Sequence, residues 1–460
     1  MTKSKMNLGE GSIGKLLIRL AFPAIIAQLV NVLYNIVDRI FIGRMSNGEL
    51  AMAGVGVAFP LLMIISAFSA LIGMGGAPLA AIKMGEKDND GAEKIISNSF
   101  STLVIIGVIC TIVFLLFKEK LLWAFGASEA TIGYAVEYLT IYLFGTVFVQ
   151  IALGMNPFIN TQGFAKMGMY TVIIGAIINI VLDPIFIFVF NLGVRGAALA
   201  TILSQFVSAI WVLFFLFGKK SILKIRKEYL IPDFKVLLPI TALGVSPFIM
   251  QATESIVLIS LNNQLLIYGA DLAVGAMTIM SSIMQIVTLP LLGLSQGAQP
   301  IISYNFGAKN MKRVKRTFKF LLISCLVYTI TMWALLMIFP EFFVGIFNKK
   351  PELVEITAWS MRIYFAGILI FGAQIACQQT FLALGQAKLS LIMALLRKIV
   401  LLVPLIFILP ALVREGNKLA AVLFAEPISD IIAAITTVVV FTIFYRRTFT
   451  KDVEDNSKVA

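Results

Sequence analysis

The sequence predicts an all-α integral membrane protein whose twelve transmembrane helices form two six-helix bundles, related as a parallel pseudo-two-fold repeat. The composition, the number of apolar stretches and a recurrence of sequence at a fixed spacing lead to this prediction. Of the 460 residues, 59% are hydrophobic and 13% are charged, and the mean hydropathy is +0.96. Soluble domains contain about 25% charged residues, so this chain must expose apolar surface to lipid. The same composition excludes disordered, collagen-like, disulfide-rich and nucleic-acid-binding folds.

The apolar stretches supply the twelve helices. About 20 mainly apolar residues are needed to cross the hydrocarbon core as a helix. Stretches of this length lie at about 16–43, 52–83, 97–117, 132–163, 167–191, 195–217, 237–268, 273–305, 317–339, 353–385, 388–412 and 418–445. Several are longer than a straight crossing needs, which predicts tilted or kinked helices.

The basic residues predict the orientation. With the N-terminus inside, the cytoplasmic segments hold 25 Lys and Arg residues and the opposite segments hold 8. This bias follows the positive-inside rule and places both termini in the cytoplasm. The first apolar run is too long for a signal-peptide core and has no small-residue cleavage site, so we interpret it as the first span. Topology in the cytoplasmic (inner) membrane, helped by anionic lipid headgroups, then explains the net charge of +13 without a nucleic-acid partner.

The chain repeats itself at a nearly constant spacing. At a shift of 222 residues the matches include Gly75 with Gly297, Pro78 with Pro300, Gly85 with Gly307 and Gly163 with Gly385; at 220 they include Pro184 with Pro404 and Gly196 with Gly416. Six helices per repeat is an even number, so both halves enter the membrane from the same side. The predicted parts are an N-lobe at 1–217, a basic cytoplasmic linker at 218–236, a C-lobe at 237–445 and a cytoplasmic tail at 446–460.

Charged side chains inside the spans are the strongest functional signal. A charge at the bilayer centre costs at least about 2.5–3.5 kcal/mol and usually marks function. Of the 24 acidic residues, five fall well inside predicted spans: Asp38, Asp183, Glu254, Glu426 and Asp430. The chain has no histidine, so proton handling within the membrane falls mainly to these carboxylates.

The first span carries a polar face. Gln28, Asn31, Asn35 and Asp38 are separated by three, four and three residues, which places them on one side of a helix. Polar contacts between helices are the alternative explanation. Four polar groups ending in a carboxylate exceed what packing needs, so we favour the wall of a water-accessible cavity.

The fifth and sixth spans add oxygen ligands at the same depth. Asn179 and Asp183 are four apart, Pro184 predicts a kink, and Thr201 follows early in span six. The predicted ion-coupling set is Asp38, Asn179, Asp183, Ala197 and Thr201. The four residues with side-chain oxygens would be the metal ligands if the ion is Na⁺. Two adjacent carboxylates also favour sharing a proton, so the site permits Na⁺ or H⁺.

The second half lacks this cluster. The 220-residue shift carries Asn179, Asp183 and Thr201 onto the apolar residues Ile399, Val403 and Ala421. Span seven instead has Gln251 and Glu254 on one face, and Glu254 could bind a cationic substrate, take a proton or pair with a base.

Two bases also fall inside the second half. Arg397 and Lys398 in span eleven lie at a depth that could meet Glu426 or Asp430 in span twelve. We interpret these groups as a structural ion pair.

Three sequence motifs resemble the MATE (multidrug and toxic compound extrusion) transporter family. They are GLSQGAQPIISYNFGAKN from Gly293, MGGAPLAAIKMGEKD from Met74 to Asp88, and LYNIVDRIFIG from Leu33 to Gly43. The resemblance covers essentially the whole chain and implies an efflux transporter of bacterial or archaeal type.

The resemblance also implies site residues. It matches Asp38, Asn179, Asp183 and Thr201 with the N-lobe cation site of one bacterial and archaeal branch, and Asn31, Tyr34 and Asn156 with its pocket. Glu254 is similar to the span-seven acid of the other bacterial branch and of eukaryotic members. The second C-lobe acid of that branch has no match, because span ten offers Gln374 and Gln378.

We therefore expect a multidrug efflux antiporter that exports amphipathic, often cationic compounds in exchange for Na⁺ or H⁺ by alternating access, and thereby gives antibiotic resistance. The predicted substrate-binding set is Gln28, Asn31, Tyr34, Asn35, Asn156, Gln251 and Glu254. The expected partners are small-molecule substrates and membrane lipids, with no nucleic acid, no cofactor beyond the coupling ion, and a monomeric state.

Two other functions were weighed. A flippase for lipid-linked oligosaccharides would need several basic residues facing its cavity to hold pyrophosphate, and Arg39 is the only base near the acidic face. An intramembrane enzyme is disfavoured because the chain has no histidine, and Asp38 and Asp183 lack a Gly-x-Gly-Asp context. We therefore predict no catalytic residues.

Overall fold

The computed structural model describes residues 8–413 and 416–457, and within these ranges it is helical and has no β-strand. The helices α1 to α12 are, in order, Ile13–Gly43, Gly48–Gly85, Asn89–Ala124, the pair Ile132–Phe144 with Thr146–Thr161, Ala165–Val189, Val194–Phe217, Phe234–Ala270, Leu272–Gly307, Met311–Ile338, Pro351–Ala383, Ala387–Leu412 and Lys418–Ser457. Eleven are long and apolar enough to cross a membrane alone, and the pair forming α4 is bent by 61°. The predicted fold class is confirmed.

Several helices extend beyond their apolar stretches. Helix α3 was predicted at 97–117 and begins at Asn89, because the Asp88 side chain caps it by accepting a 2.8 Å hydrogen bond from the Gly91 amide. That hydrogen bond and the nearby Lys83 hold the pKa of Asp88 below its ordinary value. Helix α12 was predicted to end at 445 and continues to Ser457. Residues 1–7, 414–415 and 458–460, which hold parts of the predicted cytoplasmic termini and of one outer loop, lie outside the described residues.

The repeat is visible in the backbone. Lys87 and Lys309, which are 222 residues apart, both adopt left-handed conformations, with φ of 64° and 57°. The next residue caps a helix in each half: Asp88 caps α3, and Asn310 caps α9 by accepting a 3.2 Å hydrogen bond from the Arg313 amide. Two sequences 222 residues apart therefore build the same turn, which supports the parallel relation of the first half (α1–α6) to the second half (α7–α12).

The fifth helix of each half contains a π-helical segment. In α5 it covers Ile185–Val189, directly after Pro184. In α11 it covers Leu396–Leu402, shortly before Pro404. Proline removes a backbone donor, and π-helical turns occur frequently at functional sites. Each of the two predicted clusters of charged residues uses one of these helices.

Glycines let the two halves approach closely at one end of the bundle. A Cβ on Gly85 of α2 would collide with the Tyr304 carbonyl of α8, and a Cβ on Gly307 of α8 would collide with the Ile82 carbonyl of α2. Because Gly85 and Gly307 are related by the 222-residue shift, the same contact occurs twice about the pseudo-two-fold axis. The contacts lie at the predicted cytoplasmic end and close the space between the halves there.

The segment predicted as a linker is hydrogen-bonded to the first half. Gln162 Oε1 accepts hydrogen bonds from Ser221 Oγ at 2.9 Å and from the amides of Ile222 and Leu223 at 2.6 and 2.9 Å. Farther along, Arg226 Nε donates to Glu93 Oε2 at 2.6 Å. These partners lie on α3 and at the end of α4, so the segment packs on those helices.

Candidate functional site: a polar cavity with two carboxyl groups

A polar cavity of about 470 Å³ lies in the first half and reaches α7 and α8. Its volume is in the usual range for small-molecule pockets. Its carboxamide side chains are Gln28, Asn31, Asn35, Asn156, Asn160, Gln205, Gln251, Gln296 and Gln299. Asp38 is the only charged residue among the described lining residues. The cavity thus combines neutral hydrogen-bonding groups with a single acidic position.

Six of the seven residues in the predicted substrate-binding set line this cavity. They are Gln28, Asn31, Tyr34, Asn35, Asn156 and Gln251. The polar face predicted on the first span is therefore the cavity wall. The seventh residue, Glu254, is not among the lining residues, and its contacts are described below.

The predicted ion-coupling residues converge behind this wall. Asn179 Nδ2 donates to Asp183 Oδ1 at 3.2 Å and lies 3.5 Å from Thr201 Oγ1. Asp183 is fully buried, and its carboxyl group lies close enough to Asp38 for the two charges to interact. Asp38 and Thr201 line the cavity. The site therefore has a layer facing the cavity and a buried layer behind it.

Three oxygen atoms of this cluster are buried and have no hydrogen-bond partner among the described residues. They belong to Asp38 (Oδ1), Asp183 (Oδ2) and Asn179 (Oδ1). Buried polar atoms without partners are costly, and two neighbouring carboxylates repel each other. A proton shared by the acids, or a hard cation among these oxygens, would remove both costs. The donor set thus fits either ion.

Ala197 does not join the cluster. It is fully buried in an apolar group with Ile42, Ile187 and Val194, and it does not line the cavity. The small side chain at this position packs within the core, so the structure gives no support for the predicted coupling role.

Two tyrosines that the sequence reasoning missed border the site. Tyr138 and Tyr142 of α4 line the cavity and stack with ring centroids 6.3 Å apart. Their spacing of four residues places them on one helix face, which is the signal that could have found them. Gln205 was missed in the same way, four residues after Thr201.

The second half holds a separate cluster of charges. Arg397 Nε donates to Asp430 Oδ1 at 2.6 Å, and Arg397 Nη2 donates to Glu426 Oε1 at 3.3 Å. The guanidinium group also lies 4.5 Å from the ring centre of Phe371. The predicted ion pair between α11 and α12 is therefore present for Arg397.

Lys398 has a different partner. Its Nζ lies 2.8 Å from Glu254 Oε2 of α7. Of the three alternatives for Glu254, pairing with a base is the arrangement observed. It is not among the lining residues of the cavity and its carboxylate is held by Lys398, so its place in the substrate-binding set stays a prediction.

The chain is similar to known proteins in both sequence and structure. The MatE family profile matches residues 23–185 and 248–408, one block in each half. The Multidrug export protein MepA of Staphylococcus haemolyticus (strain JCSC1435) is 27% identical over 424 residues, which cover 92% of this chain and 93% of that protein. Two solved structures are each 25% identical and cover 96% of this chain and 98% of their own. One is a MATE in the bent conformation, with a TM-score of 0.89, and the other is an outward-facing multidrug resistance MATE family transporter of the MOP superfamily, with a TM-score of 0.88. The chain therefore belongs to the MatE family, the multidrug and toxic compound extrusion transporters that its motifs resemble.

Proposed function

We propose that this protein exports amphipathic, often cationic small molecules across the cytoplasmic membrane in exchange for Na⁺ or H⁺ by alternating access. The observation that carries the proposal is the cluster of Asp38, Asn179, Asp183 and Thr201 at the polar cavity, in which buried oxygens of both acids have no hydrogen-bond partner among the described residues. Similarity to a protein named for multidrug export, over almost its whole length, supports the substrate class.

Substrate and ion would compete for the negative charge of Asp38 and Asp183. When no ion is bound, the carboxylates make the cavity attractive to a cationic substrate. When a proton or Na⁺ binds between Asp38 and Asp183, the negative charge is reduced and a cationic substrate binds less tightly. An equilibrium can be shifted only by differential affinity, and this competition supplies it.

Alternating access requires the two halves to separate at one end and meet at the other. The contacts of Gly85 and Gly307 close the predicted cytoplasmic end, and the fold resembles an outward-facing transporter. We assign this arrangement to the state that releases substrate outside. In the opposite state these glycine contacts would open, with both termini remaining cytoplasmic and the monomer as the working unit.

The cavity lining disfavours an oligosaccharide flippase. Neither Lys nor Arg occurs among its described lining residues. The nearest base on the acidic helix, Arg39, is exposed and lies 5.4 Å from the ring centre of Phe59. An anionic pyrophosphate would meet Asp38 without a counter-charge, whereas a cation would be stabilised.

Transport into inverted membrane vesicles tests the proposal. A fluorescent lipophilic cation such as ethidium would be supplied outside the vesicles, and a Na⁺ gradient or a pH gradient would be imposed separately. We expect accumulation under one gradient and collapse when that gradient is dissipated. No accumulation under either gradient would overturn the antiport proposal.

A further inference from the structure

We propose that Lys398 is a tethered cation that takes, in the second half, the place of an exchangeable coupling ion, so that only the first half exchanges ions during transport. Lys398 would be a positioning residue that sets the ion stoichiometry by occupying Glu254. This inference rests on the proposed ion-coupled export.

The first argument is the placement of the two clusters on equivalent helices. In the first half, the cluster uses the first, fifth and sixth helices through Asp38, Asp183 and Thr201. In the second half, it uses α7, α11 and α12, which are the first, fifth and sixth helices of that repeat. Lys398 directly precedes Ile399, the counterpart of Asn179 at the 220-residue shift. The repeat thus places a polar cluster on equivalent helices in both halves.

The second argument is the charge balance. The first-half cluster has two acids, and its helix neighbour Arg39 is turned toward Phe59. Buried oxygens of Asp38 and Asp183 are left without partners among the described residues. In the second-half cluster two bases face three acids: Arg397 binds Asp430 and Glu426, and Lys398 binds Glu254. The first cluster needs a cation from solution, whereas in the second cluster the cations are side chains of the protein itself.

The third argument is the accessibility of Glu254. Its side chain is 57% exposed, whereas that of Lys398 is 9% exposed. Glu254 follows the cavity-lining Gln251 by three residues. The exposed apolar residues Ile256 and Ile259 lie on another side of the helix, whereas the exposed Leu258, four residues after Glu254, shares its side. The Glu254 carboxylate is therefore accessible at the surface of α7, one turn from the cavity-lining Gln251.

The position of the ammonium group decides which cation Glu254 holds. The charged groups around the pair are Arg397, Glu426 and Asp430, and Arg397 is engaged by the other two. The carboxylate of Glu254 thus has one close basic partner among the described residues, the Nζ of Lys398 at 2.8 Å. If that amine is removed, Glu254 becomes an accessible carboxylate without a counter-ion.

A comparison of the wild type with three variants tests whether Lys398 takes the place of a coupling ion at Glu254. The wild type, Lys398→Met, Glu254→Gln and the double variant would be purified, and bound ions counted with ²²Na⁺ and with a pH indicator for protons. The ratio of ion to ethidium would then be measured in proteoliposomes. We expect the wild type, Glu254→Gln and the double variant to share one ratio, and Lys398→Met to bind and exchange one additional cation.

The double variant separates ion binding from folding, because it removes the amine without leaving a free acid. An unchanged ion count in Lys398→Met, measured on folded protein, would overturn the tether. So would loss of a bound ion in Glu254→Gln. If wild-type protein moves no ethidium under either gradient, the proposed function fails, and the bound-ion counts still decide the role of Lys398.

Discussion

The two halves place charged residues on equivalent helices and neutralise them in opposite ways. In the first half, Asp38 and Asp183 form no salt bridge among the described residues, and each has a buried oxygen without a hydrogen-bond partner there. In the second half, Arg397 and Lys398 pair with three acids at 2.6 to 3.3 Å. In a duplicated fold, the acids of one half can therefore remain available to ions from solution, while the acids of the other half are neutralised by arginine and lysine side chains.

The difference implies different consequences of mutation. Removing one member of a satisfied buried ion pair leaves an uncompensated charge and damages stability. Removing an acid whose counter-ion comes from solution abolishes ion coupling and leaves the packing of the helices intact. Stability should therefore depend on the second-half cluster, and transport on the first-half cluster.

The largest expected effect is on stability, from Arg397→Met. This change leaves the Asp430 and Glu426 carboxylates buried without their base, and losing one partner of a buried pair costs about 3–5 kcal/mol. We expect a marked drop in the thermal unfolding midpoint of the detergent-purified protein. A control that also carries Glu426→Gln and Asp430→Asn removes the stranded charges and should recover most of the loss. Wild-type stability of Arg397→Met would contradict the structural role of this cluster.

Asp183→Asn should have the next largest effect, this time on transport. The substitution keeps the side-chain shape and removes the charge that receives the ion, so ion and substrate no longer compete. We expect efflux of ethidium from cells to fall at least about 100-fold, equivalent to about 2.7 kcal/mol, with unchanged membrane insertion. Glu129→Gln, a neutralised acid on an exposed loop, is the matched control and should export normally. Undiminished drug resistance in Asp183→Asn would refute the assignment.

Much of the architecture and part of the site could be predicted from the sequence because each depends on one helix at a time. Apolar length locates the spans, and helical spacing places Asn31 and Asp38 on one face. Depth in the membrane then brings Asp183 and Thr201 to the same level as Asp38. The structure places Asn31, Asp38 and Thr201 at the wall of one cavity and Asp183 in the buried layer behind it.

Contacts that depend on the rotation of one helix against another could not be predicted in this way. Lys398 and Arg397 are adjacent in sequence and pair with different helices, because successive side chains leave a helix in different directions. The sequence therefore left Glu254 with three possible roles. The segment after α6 is polar like a solvated loop, and its contacts with Gln162 depend on tertiary packing.

Gln162→Leu tests a further asymmetry between the halves and should have a smaller effect. Gln162 accepts three hydrogen bonds from the segment between the halves, whereas its counterpart at the 222-residue shift is Leu384. Leaving buried donors unpaired costs about 1–3 kcal/mol. We expect a lower thermal unfolding midpoint with the ion count unchanged. Ser221→Ala removes only one of the three donors and should lower the midpoint less, and a wild-type midpoint in Gln162→Leu would contradict the acceptor role.

The smallest expected effect comes from exchanging one pair of counterparts, Asn179 and Ile399. Asn179→Ile removes the donor that orients Asp183 Oδ1 at 3.2 Å and leaves both carboxyl groups in place. We expect ethidium transport to fall about tenfold, equivalent to about 1.4 kcal/mol, with a higher ion concentration needed for half-maximal rate. Ile399→Asn places the same carboxamide in the half whose charges are already paired, so it should leave the ion dependence unchanged. A similar shift in both variants would mean that the two halves share the coupling, and that lysine and arginine do not close the second site.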